Sequence, residues 1–332
     1  MDNKPLIIAG SGRSGTTWVL DVLAEANNLR TVFEPLNPDG VKGTQNFANQ
    51  YVAEETENQD LKYFMQRVFN GEINCIWTNT RCLPSKMRPS ISKMGTWEYN
   101  YTLLAQYKKF YIRYAKFSKK KAFRLITKFI RANLMLDWLA ANFDPQMVFM
   151  VRHPGAVVSS KITASQAKGG AVWDFYGTNE QRILSQYKND EKLGKDFLDK
   201  YQGIFSEKLS AVAGHTLIWC IENVLPIYNL QKKNKYVFFY EDIINNPEKE
   251  FGLMVKILGL ERTPDSSLVA RPSQQASQEM MSGSMKDKKL QRWMKNFNKE
   301  GLAEINTILS FFNVTVYNAF EPEPISRTQD VI

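Results

Sequence analysis

The feature that most limits how this chain can fold is one glycine-rich turn, Gly10-Ser11-Gly12-Arg13-Ser14-Gly15-Thr16-Thr17-Trp18. A short apolar run, Pro5-Leu6-Ile7-Ile8-Ala9, leads straight into it and reads as a buried strand over 5–10. After the Ser11–Gly15 loop, Trp18, Val19, Val22, Leu23 and Ala26 fall at helical spacing. Thr31-Val32-Phe33 is a second short strand. Strand, loop, helix and strand in that order predict a right-handed parallel unit. A glycine-rich turn opening a helix exposes backbone N–H groups and the positive end of the helix dipole, so it suits an anion. Glycine lets the backbone approach that anion closely.

The same α/β alternation continues down the chain. The pattern predicts a helix near Asp60 to Phe69, a third strand at Leu125-Ile126-Thr127 and a helix from Ala132 to Phe143. A fourth strand, Met147 to Val151, ends at Arg152-His153-Pro154 and leads into a helix near Val157 to Ala164. A loop and helix over Trp173 to Tyr201, a long helix from Ala211 to Leu230 and a fifth strand from Tyr236 to Tyr240 follow. Asn246-Pro247-Glu248 is a helix start, with Asn as the cap and Pro at the first position. A last helix spans about Gly301 to Phe312. The fold class is therefore α/β: a P-loop-like, three-layer domain with a central parallel sheet flanked by helices. With 332 residues, 43% of them hydrophobic, the chain can bury one large core, and no linker splits it. The expected organisation is one domain over 1–320, with an insertion at 36–120 and a flexible polar tail at 321–332.

Composition excludes some functions. Three cysteines, Cys75, Cys82 and Cys220, are too sparse for a disulfide framework. They and the two histidines, His153 and His215, show no zinc spacing, so no metal is expected. No signal peptide is evident, and the longest apolar stretch contains His215, Glu222 and Asn223, so a cytoplasmic protein is expected. The net charge of +9 suits an anionic ligand, a nucleic acid or an acidic membrane surface alike. Ten basic residues lie between Lys108 and Arg131, interleaved with aromatics and without one acid. Four readings stand for 107–131: solvated helix faces, peripheral membrane contact, steering of an anionic glycan, or nucleic-acid binding, the last without any accompanying motif.

The loop narrows the choice of anion. Gly10 and Gly15 have Walker A spacing and Thr17 takes the magnesium-ligand position, but Thr16 stands where that motif has lysine. The cation is Arg13, inside the loop. A metal-free 5′ group of lower charge fits better than a magnesium triphosphate. Arg13-Ser14-Gly15-Thr16-Thr17-Trp18 resembles the 5′-phosphosulfate loop of sulfotransferases that use 3′-phosphoadenosine 5′-phosphosulfate (PAPS). Cytosolic members carry Lys-Ser-Gly-Thr-Thr-Trp there, and many carbohydrate sulfotransferases carry Arg-Ser-Gly. The resemblance implies that Gly12, Arg13, Ser14, Gly15, Thr16 and Thr17 hold the 5′ end of PAPS, with no metal.

A second family signature is an arginine at a strand end with a serine eight residues later, here Arg152 and Ser160. A guanidinium fork and a helix hydroxyl can together hold a 3′-phosphate. Tyr240 matches a tyrosine near the adenine, and is equally read as a core residue. Lys286 to Trp293 resembles the late loop that closes over the 3′-phosphate, with Lys286 and Lys288 in place of its Arg-Lys-Gly. The resemblance covers 5–33, 124–164, 211–260 and, weakly, 282–312.

Sulfuryl transfer needs positioning, a cation for the leaving 5′-phosphate and a base for the acceptor proton. Arg13 and Lys128 are the candidate cations. The histidine base of cytosolic members is absent, because Ile130 occupies its place. Glu34, in Phe33-Glu34-Pro35, resembles the Glu-Pro of carbohydrate sulfotransferases and is the expected base, with burial raising its pKa. His215 reads as a neutral core residue. The resemblance implies transfer from PAPS to an acceptor hydroxyl or amine, a glycan or other polyhydroxylated molecule, leaving 3′-phosphoadenosine 5′-phosphate (PAP). The rival from the same fold is a divergent nucleotide kinase, whose acidic magnesium ligand would come from Glu241-Asp242.

Overall fold

The structure, a computed structural model, describes residues 4–73, 75–79, 124–166, 179–205, 209–232, 236–271 and 290–325. Among these, five strands make one parallel sheet: β1 (Leu6–Gly10), β2 (Arg30–Phe33), β3 (Leu125–Phe129), β4 (Gln146–Val151) and β5 (Tyr236–Phe239). Their order is β2-β3-β1-β4-β5, which puts the loop-bearing strand at the centre. The expected three-layer α/β architecture is the one observed.

The alternation of side chains along β1 explains its unbroken apolar sequence. Leu6 and Ile8 enter one core, against Trp18, Val19 and Leu23 of helix α1 (Thr16–Asn27). Ile7 and Ala9 enter the other, with Phe149, Val157 and Trp219. A strand covered on both faces has no solvent side on which to place polar residues. The crossover after β1 steps toward the β2 edge, whereas those after β3 and β4 step toward β5. Right-handed connections therefore place α1 on one face and the helices Pro154–Gln166 and Ala211–Lys232 on the other. The reversal leaves a crevice beyond the carboxyl end of β1, where ligands bind in open sheets of this kind.

Three local expectations change. β5 stops at Phe239, and Tyr240 opens a helix, Tyr240–Asn245, whose first turn carries Glu241 and Asp242; acids there complement the helix dipole. The helix expected from Ala132 begins as a 3-10 turn, Asn133–Met135, before Leu136–Phe143. Asn246 makes no side-chain cap bond, and Pro247 alone marks that helix start. Residues 36–58, the start of the expected insertion, are anchored: Leu36 and Val52 join the same core as Leu61, Met65 and Val68 of the helix Gln59–Phe69. Residues 80–123, most of the basic run and the remainder of the proposed insertion, lie outside the described residues, as do Cys82, Lys286 and Lys288.

Two glycines give opposite predictions. A methyl added at Gly155 falls onto the indole of Trp293, which is itself buried. Gly155→Ala is expected to cost about 1–3 kcal/mol, the usual range for overpacking. Gly252, in the helix Pro247–Ile257, has open space around its added methyl. Gly252→Ala should add about 0.5–1 kcal/mol through helix propensity. Urea unfolding of both variants checks this, and a destabilised Gly252→Ala would contradict the described helix surface.

Candidate active site

The loop after β1 is shaped by two close approaches. A side chain at Gly10 would overlap the Met150 carbonyl of β4, and one at Gly15 would meet the Tyr240 ring at 2.6 Å. Both glycines have positive φ, at 153° and 90°. Gly15 caps α1 without a side-chain bond, and the first turn of α1 holds no acid, so nothing negative opposes an anion there. The Ser11 and Ser14 hydroxyls bond each other at 2.8 Å and brace the turn from inside. Thr16 and Thr17 are buried in the first turn of α1.

Six described non-glycine residues have positive φ, and four of them are Asn28, Asn49, Asp144 and Asn313, the types that tolerate this conformation. The other two are Arg13, at 75°, and Glu34, at 43°. Strain of this kind concentrates where the surrounding structure fixes a residue for function. Here it falls on two of the three residues expected to do chemistry, Lys128 being the third.

On the β4–β5 side of the loop, Arg13 Nε donates to Ser160 Oγ at 2.7 Å, and Arg152 Nη1 donates to the Arg13 carbonyl at 3.1 Å. The Arg152 guanidinium lies 4.4 Å from the Tyr240 ring centroid. Arg152 Nε is buried without an acceptor. The two residues expected at the 3′ group and the cation expected at the 5′ group are thus one cluster. Tyr240 fills the space between Gly15 and Arg152, and so braces the loop. Trp293 packs on Gly155 and stacks on His153 at 4.4 Å, beside the same helix start. His153 is structural: burial pushes its pKa down to about 3, and its Nδ1 accepts the Gly155 N–H at 3.1 Å.

On the β2–β3 side, Glu34 is buried between two cations. Lys128 donates to Oε1, and Arg131 Nη1 to Oε2 at 2.5 Å. Its carbonyl accepts from Trp77 Nε1 at 3.2 Å and Asn37 N at 3.1 Å, which fixes the turned peptide. Burial pushes the Glu34 carboxyl up, but Lys128 and Arg131 together outweigh it and hold its pKa below the ordinary value. The expectation of a raised pKa is therefore corrected: two cations distant in the chain converge on the carboxyl, and no local pattern announces them. Lys128 lies 4.7 Å from the Phe33 ring centroid, so its ammonium faces Glu34 and Phe33. Arg131 was hidden among the ten basic residues, 97 positions from its partner.

A further polar group lies against the helix after Arg152. Lys161 is buried and influences Glu180, His215 and Glu222. His215 Nε2 is 3.5 Å from Glu180, and Tyr187 donates to Glu222 at 3.2 Å. Gly214 leaves room for the Glu180 carboxyl, where a methyl would overlap it. His215 is neutral, its pKa pushed down to about 3 by burial and by Lys161. Glu241 accepts from His153 N and from the Tyr317 hydroxyl, both at 3.0 Å, and is buried. Of the two acids the kinase reading would use, Glu241 is thus committed to structural bonds. No group of three metal-ligating side chains occurs among the described residues, and no described helix is long and apolar enough to cross a membrane.

The sequence model of the Sulfotransferase family matches residues 5–265. The chain belongs to the sulfotransferase family. No curated protein matches it in sequence. Among solved structures it is similar to the sulfotransferase domain from the Synechococcus PCC 7002 olefin synthase, at 17% identity and a TM-score of 0.42, covering 93% of this chain and 96% of that one. It is also similar to the sulfotransferase domain from the curacin biosynthetic pathway, at 14% identity and a TM-score of 0.43, covering 92% and 98%. In this sulfotransferase the matched span contains the glycine loop, both arginine clusters and Glu34.

Glu180 makes the protein's stability pH-dependent. Burial raises its pKa from 4.5 to about 7, against a smaller lowering by Lys161. The folded chain then holds this proton more tightly than the unfolded chain, so the contribution of Glu180 to stability falls as pH rises from 4.5 through 7. Glu180→Gln should therefore gain melting temperature relative to the parent at pH 8, and lose that advantage at pH 4. Equal differences at both pH values would show that Glu180 does not titrate in this range.

Proposed function

We propose that this sulfotransferase takes its sulfuryl group from PAPS and transfers it to a hydroxyl of a polyhydroxylated acceptor. The observation that carries the donor assignment is the Arg13–Arg152–Ser160 cluster with its unpartnered, buried Arg152 Nε. A buried guanidinium N–H without an acceptor calls for an anion. This anion locus stands beside the loop at the α1 N-terminus, so the site suits a nucleotide with charge at both its 5′ and 3′ ends. ATP, with all its phosphates at one end, matches it less well.

The donor brings the activated sulfuryl group, and the chain's residues bind, orient and move a proton. Gly12 to Thr17 and the α1 N-terminus hold the 5′ end, and Arg13 offsets charge on the leaving phosphate. Arg152, with its unpartnered Nε, and Ser160 hold the 3′-phosphate. Glu34, kept ionised and oriented by Lys128 and Arg131, accepts the acceptor's proton through the lone pairs its two bonds leave open. A carboxylate of lowered pKa is a weak base, and it suffices where the proton leaves late in the transfer. In this role Lys128 positions Glu34.

Calorimetric titration with PAP, AMP and ATP–magnesium in parallel tests the donor. PAP should bind far more tightly than AMP, and Arg152→Ala should weaken PAP by a much larger factor than AMP. Equal losses for both nucleotides, or a preference for ATP–magnesium, would overturn the assignment. Glu34→Gln should keep PAP affinity and lose roughly 10²–10⁴-fold in turnover, the usual worth of a general base; near-normal turnover would remove Glu34 from the reaction.

A further inference from the structure

A cavity of about 220 Å³ lies on the outer side of the segment that follows Arg131. Its walls are residues 51–55, residues from Asn133 to Asp137, Asp196, and the turn of the long helix around Pro226. At about 30 Å³ per water it has room for roughly seven waters, or one small organic molecule.

Its electrostatics run against those of the chain. The protein carries +9, yet Glu54, Glu55, Asp137 and Asp196 all line this one cavity. Lys192, at the rim and half-exposed, bridges Glu55 at 3.1 Å and Asp196 at 2.9 Å, and so offsets part of that charge. Burial raises the pKa of the Tyr51 hydroxyl, and Asp196, Glu55 and Asp137 raise it further, which shows that negative potential reaches the cavity wall. The Tyr51 hydroxyl donates to Asp196 at 2.8 Å, and Asn229 Nδ2 donates to Asp137 at 2.6 Å, so both carboxylates are held in place.

A second, independent feature is Asn133. It is 3% exposed and lines the cavity, and neither its amide nitrogen nor its oxygen has a hydrogen-bond partner. A buried amide with both ends unmet is costly; Asn133 also borders a narrow void beside Glu222, and a donor bound in the cavity would meet its oxygen. Between the carboxylates the wall is apolar, with Val52, Leu134 and Leu225. Methylene groups fit such a wall, and an ammonium fits the carboxylates and the Asn133 oxygen, since it has three donors and no acceptor.

We propose that this cavity is a binding site for a small organic cation, a primary amine on a short alkyl or hydroxyalkyl body. The site is separate from the phosphate loop and does not rest on the PAPS assignment. Calorimetry on the full chain with 1,4-diaminobutane, with butane-1,4-diol as the uncharged match, is the test. The diamine should bind at least tenfold more tightly than the diol, and Asp137→Asn should weaken it by about tenfold, the effect of losing one charged contact. Cooperative melting of the variant shows that it folds. If Asp137→Asn does not fold, the exposed pair Glu54→Gln/Glu55→Gln decides, with a severalfold weakening expected. No diamine binding up to about 10 mM, an affinity range below any specific site, would overturn the proposal. So would equal binding of the diol, or unchanged binding in the variants.

Discussion

The carboxyl end of β1 can hold no side chain, and much of the site follows from that. A methyl at Gly10 would strike the Met150 carbonyl, so β1 and β4 come together at their tips more closely than any other residue allows. The chain must then turn at once, within the few residues before α1 begins at Thr16. The turn is held on its far side by Tyr240, which admits only a glycine at position 15. Strand tip, loop and helix start are thereby locked into one piece, and the backbone N–H groups of the loop have a fixed direction. The arginines act around that fixed piece.

Charge is arranged by strand order. Neighbouring strands lie about 4.8 Å apart, so residues at the tips of β2 and β3 fall on one side of the loop and those at β4 and β5 on the other. Glu34, Lys128 and Arg131 make an ion-paired group on the first side, one carboxylate between two cations. Arg13, Arg152 and Ser160 make a cationic group on the second, and the buried acid Glu241 is committed to His153 and Tyr317. Anion binding and proton transfer thus have separate ground, with the loop between them. A carboxylate placed among the second set would cancel the attraction for an anion, and the fold keeps two strands, β3 and β1, between the tip of β2 that carries Glu34 and β4.

The sequence disclosed what repeats or what is local. The β1–loop–α1 unit was legible because glycine, an apolar run and helical spacing all lie within one short stretch. Arg152 and Ser160 were legible because they sit on one strand tip and the helix that follows. What escaped the sequence is what only tertiary folding brings together. Arg131 differs in no local way from its basic neighbours, and only the packing of β3 against β2 carries it to Glu34. The direction of the Glu34 pKa was missed for the same reason: burial was foreseeable from the strand end, and two converging cations were not. Lys161, Glu180 and His215 come from three different helices. In residues 36–58 a polar composition conceals the few apolar positions, Leu36 and Val52 among them, that anchor them to the core.

The packing of Trp293 against Gly155 bears on how portable this site is. The match to the family ends at residue 265, yet the indole that covers the start of the helix after Arg152 comes from beyond it. The Tyr317 hydroxyl that fixes Glu241 and the Asn318 carbonyl that bonds His153 come from beyond it too. Sequence kinship and mechanical support therefore have different boundaries in this chain. A transplanted 5–265 segment would carry every residue of the candidate chemistry but not the three contacts that hold the tips of β4 and β5 in register with the loop. The last part of the chain is a buttress, and the chemistry cannot be moved without it.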